Sequence, residues 1–331
     1  MFIIDSYSIA VVFCVITMLA WGSWANTQKM ASSDWRFELF YWDYVIGIVI
    51  FSGLLGLTLG SYGEGGRPFL EDIGQAEGKY LQLAFIGGVL FNLANILLVA
   101  SITIAGMSVA FPVGIGLALV IGVIVNYIDS PVGNAALIFG GVALIVIAML
   151  LNAKAYSKLS SSKGSLPTKG LVLAVVAGLL MGFFYKYVAN SMFLNFDVPE
   201  SGKLSPYSAI FIFAIGILVS NFVFNTILMK KPFEGTPIKI SQYFNGQTKN
   251  HAIGILGGMI WCLGMSFSIL ASDKAGPAIS YGLGQGATVI AALWGIYIWK
   301  EFKGAPKGVS TMLNIMLVFY VIGLALIIMA R

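Results

Sequence analysis

Apolar residues along this chain run in long blocks, and polar residues gather between the blocks. Strict alternation, the mark of half-buried strands, is absent, so the pattern predicts helices that cross a bilayer. Blocks of about 20 mainly apolar residues, the length a spanning helix needs, fall at Tyr7 to Asn26, Leu39 to Gly60, Tyr80 to Ser101, Met107 to Tyr127 and Asn134 to Leu151. Five more fall at Gly170 to Asn190, Tyr207 to Met229, His251 to Ser272, Pro277 to Trp299 and Val309 to Ala330. The predicted fold class is an all-α polytopic membrane protein with ten transmembrane helices, five in each half.

Two blocks depart from the pattern. Ala275 to Ala287 reads Ala-Gly-Pro-Ala-Ile-Ser-Tyr-Gly-Leu-Gly-Gln-Gly-Ala, a concentration of helix-weakening residues inside an apolar span. Glycine leaves the backbone unshielded and proline removes an N–H, so only protein or water, never lipid, can satisfy such a segment. Ala105 to Leu117 carries Gly106, Gly114 and Gly116, each 170 residues before Gly276, Gly284 and Gly286. Gly87-Gly88 recurs as Gly257-Gly258 and Leu93 as Leu263 at the same offset, while Gly141-Val-Ala-Leu-Ile resembles Gly323-Leu-Ala-Leu-Ile.

With an odd number of spans per copy, the second copy enters the membrane upside down. The expectation is a 5+5 inverted-topology repeat with a solute site near the midplane. The predicted domains are a first five-helix repeat at 1–152, a cytoplasmic linker at 153–169 and a second repeat at 170–331. The breaks, with Pro112, Gly114 and Gly116 in one and Gly282, Gly284 and Gly286 in the other, are candidate gates.

Composition agrees, at 58% hydrophobic and 10% charged, far from a soluble domain. The first residues have no basic region and no clear small-residue cleavage site, so the first span is expected to be retained. Charge decides the orientation. With the N-terminus outside, thirteen Lys and Arg fall in cytoplasmic loops and five outside, with Lys186 in a span. The positive-inside rule then predicts both termini outside. The formal charge of +5 is read as this topology signal and not as a nucleic-acid footprint. The Ser-rich, basic linker lacks the spacing of a phosphate-cradling loop.

Polar groups at mid-membrane depth are few, and each needs a partner. Asn92 and Asn95 lie three apart in the third span, and Asn221 and Asn225 four apart in the seventh. Trp261, Tyr281 and Gln285 belong to the eighth and ninth. Amides with aromatic walls, to which Trp24 contributes, suit a neutral planar or hydroxyl-rich solute; the same amides can instead tie helices together. Asp43 is the one carboxylate in the body of a predicted span. It either takes and releases a coupling proton or sits at the interface paired with Lys29 or Arg36. Lys186 either snorkels to the outer interface or serves as a counter-charge or gate.

His251 is the sole histidine, and Cys14 and Cys262 lie within spans without metal-ligand spacing. No catalytic, metal or cofactor constellation can be assembled, so an enzyme is not expected. The first span holds no carboxylate, which counts against an exporter of cationic drugs. A channel is disfavoured by the scarcity of continuous polar lining. Glycine-rich faces pack helices within a subunit as readily as between subunits, so both monomer and homodimer remain open.

Several of these residues carry a family resemblance. Gly22-Ser-Trp24, Trp42-Asp-Tyr44, Gly87-Gly-Val-Leu-Phe-Asn-Leu-Ala-Asn95, Gly106-Met-Ser-Val109 and Asn126-Tyr127 resemble the ureide permease family of the drug/metabolite transporter superfamily. The chain is also similar to the related glucose/ribose porters. The likeness is clearest over residues 7 to 130. It implies ten helices in an inverted repeat and proton-coupled import of ureides or nucleobases, or of monosaccharides in the porter branch. Plant ureide permeases carry a longer cytosolic centre with a nucleotide-binding-like motif, which this short linker lacks.

The resulting expectation is a secondary-active importer in the inner (plasma) membrane, coupled to protons or to sodium. It would move a small neutral polar solute, a ureide or nucleobase, by alternating access. The alternatives are a monosaccharide importer and a drug/metabolite exporter.

Overall fold

The computed structural model describes residues 1–32, 34–105, 110–159, 168–233 and 235–331. The regular elements of these segments are helices, apart from one isolated β-bridge between Met192 and Leu204. Helices α1 (Tyr7–Ser23) and α2 (Ala25–Met30) form one nearly continuous rod, followed by α3 (Phe37–Leu57), the short α4 (Phe69–Gln75) and α5 (Gly78–Ala105). A π-helical turn at Phe111–Ile115 leads into α6 (Gly116–Asp129), then α7 (Ala135–Leu159) and α8 (Thr168–Ser191). The remainder comprises α9 (Pro206–Lys230), α10 (Ile240–Phe244), α11 (Thr248–Ala275), α12 (Pro277–Gly284), α13 (Ala287–Leu293), a second π turn at Trp294–Ile298 and α14 (Val309–Ile328).

Among the described residues, nine helices are long and apolar enough to cross a membrane. The tenth expected span, Met107 to Tyr127, is described only as the shorter apolar helix Val113–Asp129. Gly106 and Met107 to Val109 lie outside the described residues, as do 160–167 of the expected linker. Helix α7 runs on through Leu159 and α8 begins at Thr168, so helical structure reaches into the linker from both sides.

The outside of the bundle differs from that of a water-soluble one, while the core is largely apolar in both. Large apolar side chains such as Val12, Leu54, Leu150, Phe222 and Val321 are exposed on the outside, where lipid would cover them. Amides and hydroxyls, including Thr17, Asn92, Asn95, Asn221 and Asn225, are buried inside. This is what a bilayer selects, since an unpaired polar group facing hydrocarbon costs several kcal/mol.

Glycines set the closest helix crossings. A Cβ at Gly258 of α11 would overlap the Tyr44 carbonyl oxygen of α3, and one at Gly88 of α5 would overlap the Phe213 carbonyl oxygen of α9. Without side chains at these two positions, backbone packs on backbone, as small residues allow in membrane bundles. Gly276, with φ +85°, joins α11 to α12 in a conformation that L side chains rarely adopt.

The loops sort to two ends of the bundle. At one end the Met1 ammonium donates to the Gly65 carbonyl at 2.6 Å, and the Tyr7 hydroxyl to the Ile328 carbonyl at 2.6 Å. There too the buried Asp72 accepts from Arg67 at 2.9 Å and from the Ser205 N–H at 2.7 Å. At the other end the Ser32 N–H donates to Asn250 Oδ1 at 3.1 Å and Arg36 to the Thr236 carbonyl at 2.6 Å. Both chain termini therefore share one end of the molecule.

Candidate functional site

The centre of the bundle is an aromatic cluster built around Trp261 of α11. Its ring lies 4.3 Å from Phe91 of α5, 5.9 Å from Trp21 of α1 and 6.4 Å from Tyr44 of α3, centroid to centroid. Trp24, in the hinge between α1 and α2, stands 4.7 Å from Tyr44, so the predicted pair Trp24 and Trp261 meets across one tyrosine.

The amides of α5 join this cluster. Tyr41 donates to Asn92 Oδ1 at 2.9 Å and accepts from Asn95 Nδ2 at 3.1 Å. Asn92 Nδ2 in turn donates to Ser220 Oγ at 2.9 Å. Three helices are thus tied together, and both oxygen and nitrogen of Asn92 are satisfied by protein.

Asn221 is different. It is fully buried on α9, yet neither its Nδ2 nor its Oδ1 has a hydrogen-bond partner among the described residues. One turn along, Asn225 donates to the Glu38 carbonyl at 2.9 Å while no described residue pairs with its Oδ1, nor with the buried Tyr44 hydroxyl. Buried polar groups are nearly always satisfied, so these mark where a bound polar molecule would be gained most cheaply. Tyr281 lies elsewhere. Its ring fills the space above Gly122, and its hydroxyl donates to the carbonyls of Ala118 and Met181 at 3.3 and 3.2 Å.

Asp43 sits buried in α3 and pairs with neither Lys29 nor Arg36. It accepts from the Tyr243 hydroxyl at 2.7 Å, and its two oxygens lie 2.9 and 3.1 Å from His251 Nδ1. Lys29 instead pairs with Glu301 at 3.0 Å, and Arg36 with Glu38 at 2.5 Å. Gly254 makes room, since a Cβ there would lie 2.5 Å from the Asp43 Cβ. Trp35 closes one side, its ring edge-on to His251 at 5.0 Å. Burial, and then the hydrogen bond to Asp43, push the Tyr243 phenol above its ordinary range, so it stays a donor at physiological pH. The His251 side chain is 23% exposed and the Asp43 side chain 1%, so the pair links the end of the bundle to a carboxylate inside it.

The ninth block is broken as its glycines foretold: α12 ends at Gly284, and Gln285 and Gly286 form a turn before α13. Gly284 lies against Trp21 and Thr17, Gly286 against Met18, and Gly282 against Val123. The Gln285 side chain is 9% exposed and hydrogen-bonds no described residue. In the fourth block Pro112 and Gly114 contribute backbone to the π turn, and Gly116 begins α6. Near the end of α8, Lys186 pairs with Asp129 at 2.9 Å, and Asn190 donates to the other Asp129 oxygen at 2.8 Å. No group of three or more His, Cys, Asp or Glu that could hold a metal occurs among the described residues.

A family model described as sugar transport protein matches residues 39–330. The chain belongs to that family. Ureide permease 1 of Arabidopsis thaliana is 21% identical over 99% of this chain and 98% of its own. The glucose uptake protein GlcU of Bacillus subtilis is 26% identical over 71% of this chain and 75% of its own, and the putative ribose uptake protein RbsU of Latilactobacillus sakei 25% identical over 73% and 77%. A solved crystal structure superposes over 98% of this chain and 99% of its own with a TM-score of 0.60 at 17% identity, which establishes likeness of fold alone. The protein is therefore a multi-pass membrane transporter and not an enzyme.

The candidate site contains residues that local pattern alone does not single out. Tyr41 and Tyr44 sit one turn apart on α3, and Tyr41 bonds the amides of α5, but in sequence both read as part of an interfacial aromatic belt. His251 begins α11 at the end where Asp43 also lies, and that shared depth was the available signal. Tyr243, on a five-residue helix in a loop, had none.

Proposed function

We propose that the protein is a secondary-active, proton-coupled importer of a small neutral polar solute in the inner membrane. The solute would be a ureide or nucleobase, moved by alternating access. The observation that carries this is Asn221, whose fully buried amide has no partner on either atom among the described residues. A neutral ligand bearing both N–H and C=O groups would satisfy it, whereas a cation would need a negative partner there. Gln285, whose amide hydrogen-bonds no described residue and whose neighbour Gly284 lies against Trp21, and the Tyr44 hydroxyl offer the same kind of surface. Asn92 and Asn95 frame the site from positions already bonded to protein, whereas Tyr281 stands apart from it against Gly122. Trp24 and Trp261 supply apolar faces, and Asp43 carries the coupling proton.

An inverted repeat underlies the proposal. Phe91 and Trp261 are 170 residues apart in sequence, and their rings are nearest neighbours at the centre, as residues flanking a two-fold axis would be. The crossings of Gly88 on Phe213 and Gly258 on Tyr44 correspond in the same way. The Lys186–Asp129 pair and the Lys29–Glu301 pair each tie the end of a first helix to the end of a broken one. Alternating access would open one of these ties at a time, with the breaks around Gly114 and Gly284 as the moving parts. The end bearing both termini would face outward, consistent with the basic residues at the opposite end.

A monosaccharide is the second reading, favoured by the family model and by the GlcU and RbsU relatives. Uptake of labelled allantoin, uracil, ribose and glucose into a transport-deficient host decides between them. Efflux of lipophilic cations with no uptake of the four would instead favour an exporter.

Two substitutions bear on the site. Asn221→Leu is expected to raise the half-saturation constant about tenfold while thermal stability holds or improves, because the unpaired amide already carries its desolvation cost. Unchanged transport kinetics would remove Asn221 from the site. Gln285→Ala is expected to raise the same constant roughly fivefold, about the worth of one hydrogen bond, in a concentration series at fixed pH.

A further inference from the structure

Beside the broken ninth block lies a cavity of about 120 Å³, bounded by α2, the end of α7 and α13 with the turn that follows. That is roughly ten times the space a single water needs. Its deep wall is Thr288, whose hydroxyl accepts from Tyr320 at 2.8 Å and donates to the Gln285 carbonyl at 3.0 Å. The cavity thus starts one turn from the break. Its outer wall is Trp299, which donates to Asn26 Oδ1 at 2.6 Å and lies 4.8 Å beneath the Lys29 ammonium.

Two features make this more than a packing defect. Asn152, on α7, lines the cavity with a buried Oδ1 that has no hydrogen-bond partner among the described residues. Glu301 closes it from the side: one oxygen takes Lys29 at 3.0 Å and the other the Tyr156 hydroxyl at 2.6 Å. Gly295 keeps that closure possible, since a Cβ there would lie 2.8 Å from the Glu301 oxygen and 3.0 Å from the Tyr156 hydroxyl.

We propose that this cavity is a second solute site, in which a neutral ligand rich in N–H or O–H groups pauses between the Gln285 break and the cytoplasm. Asn152 Oδ1 accepts a hydrogen bond from one of those groups, and the Trp299 face packs against the ligand's flat or apolar side. The Lys29–Glu301 pair closes the mouth until the ligand leaves. An amide acceptor beside an indole discriminates by hydrogen bonding and shape rather than by charge. The ligand class rests on the transport reading above; the place of the site rests on the cavity itself.

The test uses full-length protein in inside-out vesicles and intact cells. Ala291, which also lines the cavity, is replaced by cysteine; the two native cysteines are buried. A membrane-impermeant thiol reagent is expected to modify Ala291→Cys from the cytoplasmic face. Whichever of allantoin, uracil, ribose or glucose the wild type transports should slow that modification at least several-fold. Asn152→Leu, matched to the wild type in melting temperature, should raise the half-saturation constant for exit about tenfold and weaken the protection. If a solute is transported yet gives no protection, and Asn152→Leu leaves exit unchanged, the second site is overturned while the transport reading stands. If the wild type transports none of the four, the ligand class falls and the site falls with it.

Discussion

Asp43→Asn is expected to reduce uphill uptake to simple equilibration while leaving solute exchange across the membrane intact. A proton moving down a potential of 100 mV supplies about 2.3 kcal/mol, enough for a roughly fifty-fold gradient of a neutral solute at about 1.4 kcal/mol per factor of ten. Without a group that changes charge during the cycle, the accumulation ratio falls to about one. Asp43 suits that role by position. It is buried in α3, yet its oxygens touch His251, which is 23% exposed at the bundle end, and the Tyr243 hydroxyl. Asparagine keeps the shape and can still accept from Tyr243, so folding should survive.

The measurement is accumulation with and without a protonophore, set beside counterflow exchange and a melting curve in detergent. Persistent accumulation that still collapses with the protonophore would move the coupling group elsewhere. Loss of counterflow together with a large fall in melting temperature would make the Asp43–His251 contact a structural tie instead.

Gly258→Val is expected to leave little folded transporter. The added Cβ would occupy the place of the Tyr44 carbonyl oxygen, and the contact is with backbone, not with a flexible side chain that could step aside. Overpacking usually costs about 1–3 kcal/mol. Here α3 and α11 must separate along their length, which also loosens Asp43 from His251 and Tyr44 from Trp261, so the cost should exceed about 3 kcal/mol.

Gly88→Val should fail in the same way against the Phe213 carbonyl. Gly74→Ala is the control: nothing lies within 4 Å of its added Cβ, and alanine in a helix gains about 0.5–1 kcal/mol over glycine. Size-exclusion profiles of the three variants after extraction would read this directly. A monodisperse Gly258→Val protein with wild-type stability would mean the crossing is not as tight as described.

Much of this was legible from residue order. Asn92 and Asn95 were candidates because amides are rare at mid-span, and they do lie at the core, joined through Tyr41. The interruption at Gln285 was visible because glycine and proline weaken helices wherever they stand. Asp43 is conspicuous in sequence as a carboxylate among apolar neighbours, but Lys29 and Arg36, the pairing alternatives that lie near it along the chain, pair with Glu301 and Glu38. The partner of Asp43, His251, is 208 residues away, and no local pattern carries that information. Tyr281 and Asn221 read alike in sequence as buried polar residues, yet two carbonyls satisfy one and no described residue satisfies the other.

The sequence by itself determined the class of protein, the length and number of the apolar blocks, and where a helix would break. Those properties follow from the transfer of each side chain and peptide group between water and lipid, which depends on composition over a window of about 20 residues. Only the tertiary structure decided which polar groups are satisfied, which are left open to a ligand, and which charges face each other. Hydrogen bonds and ion pairs form over about 3 Å, and the helices that bring two groups that close can lie anywhere along the chain.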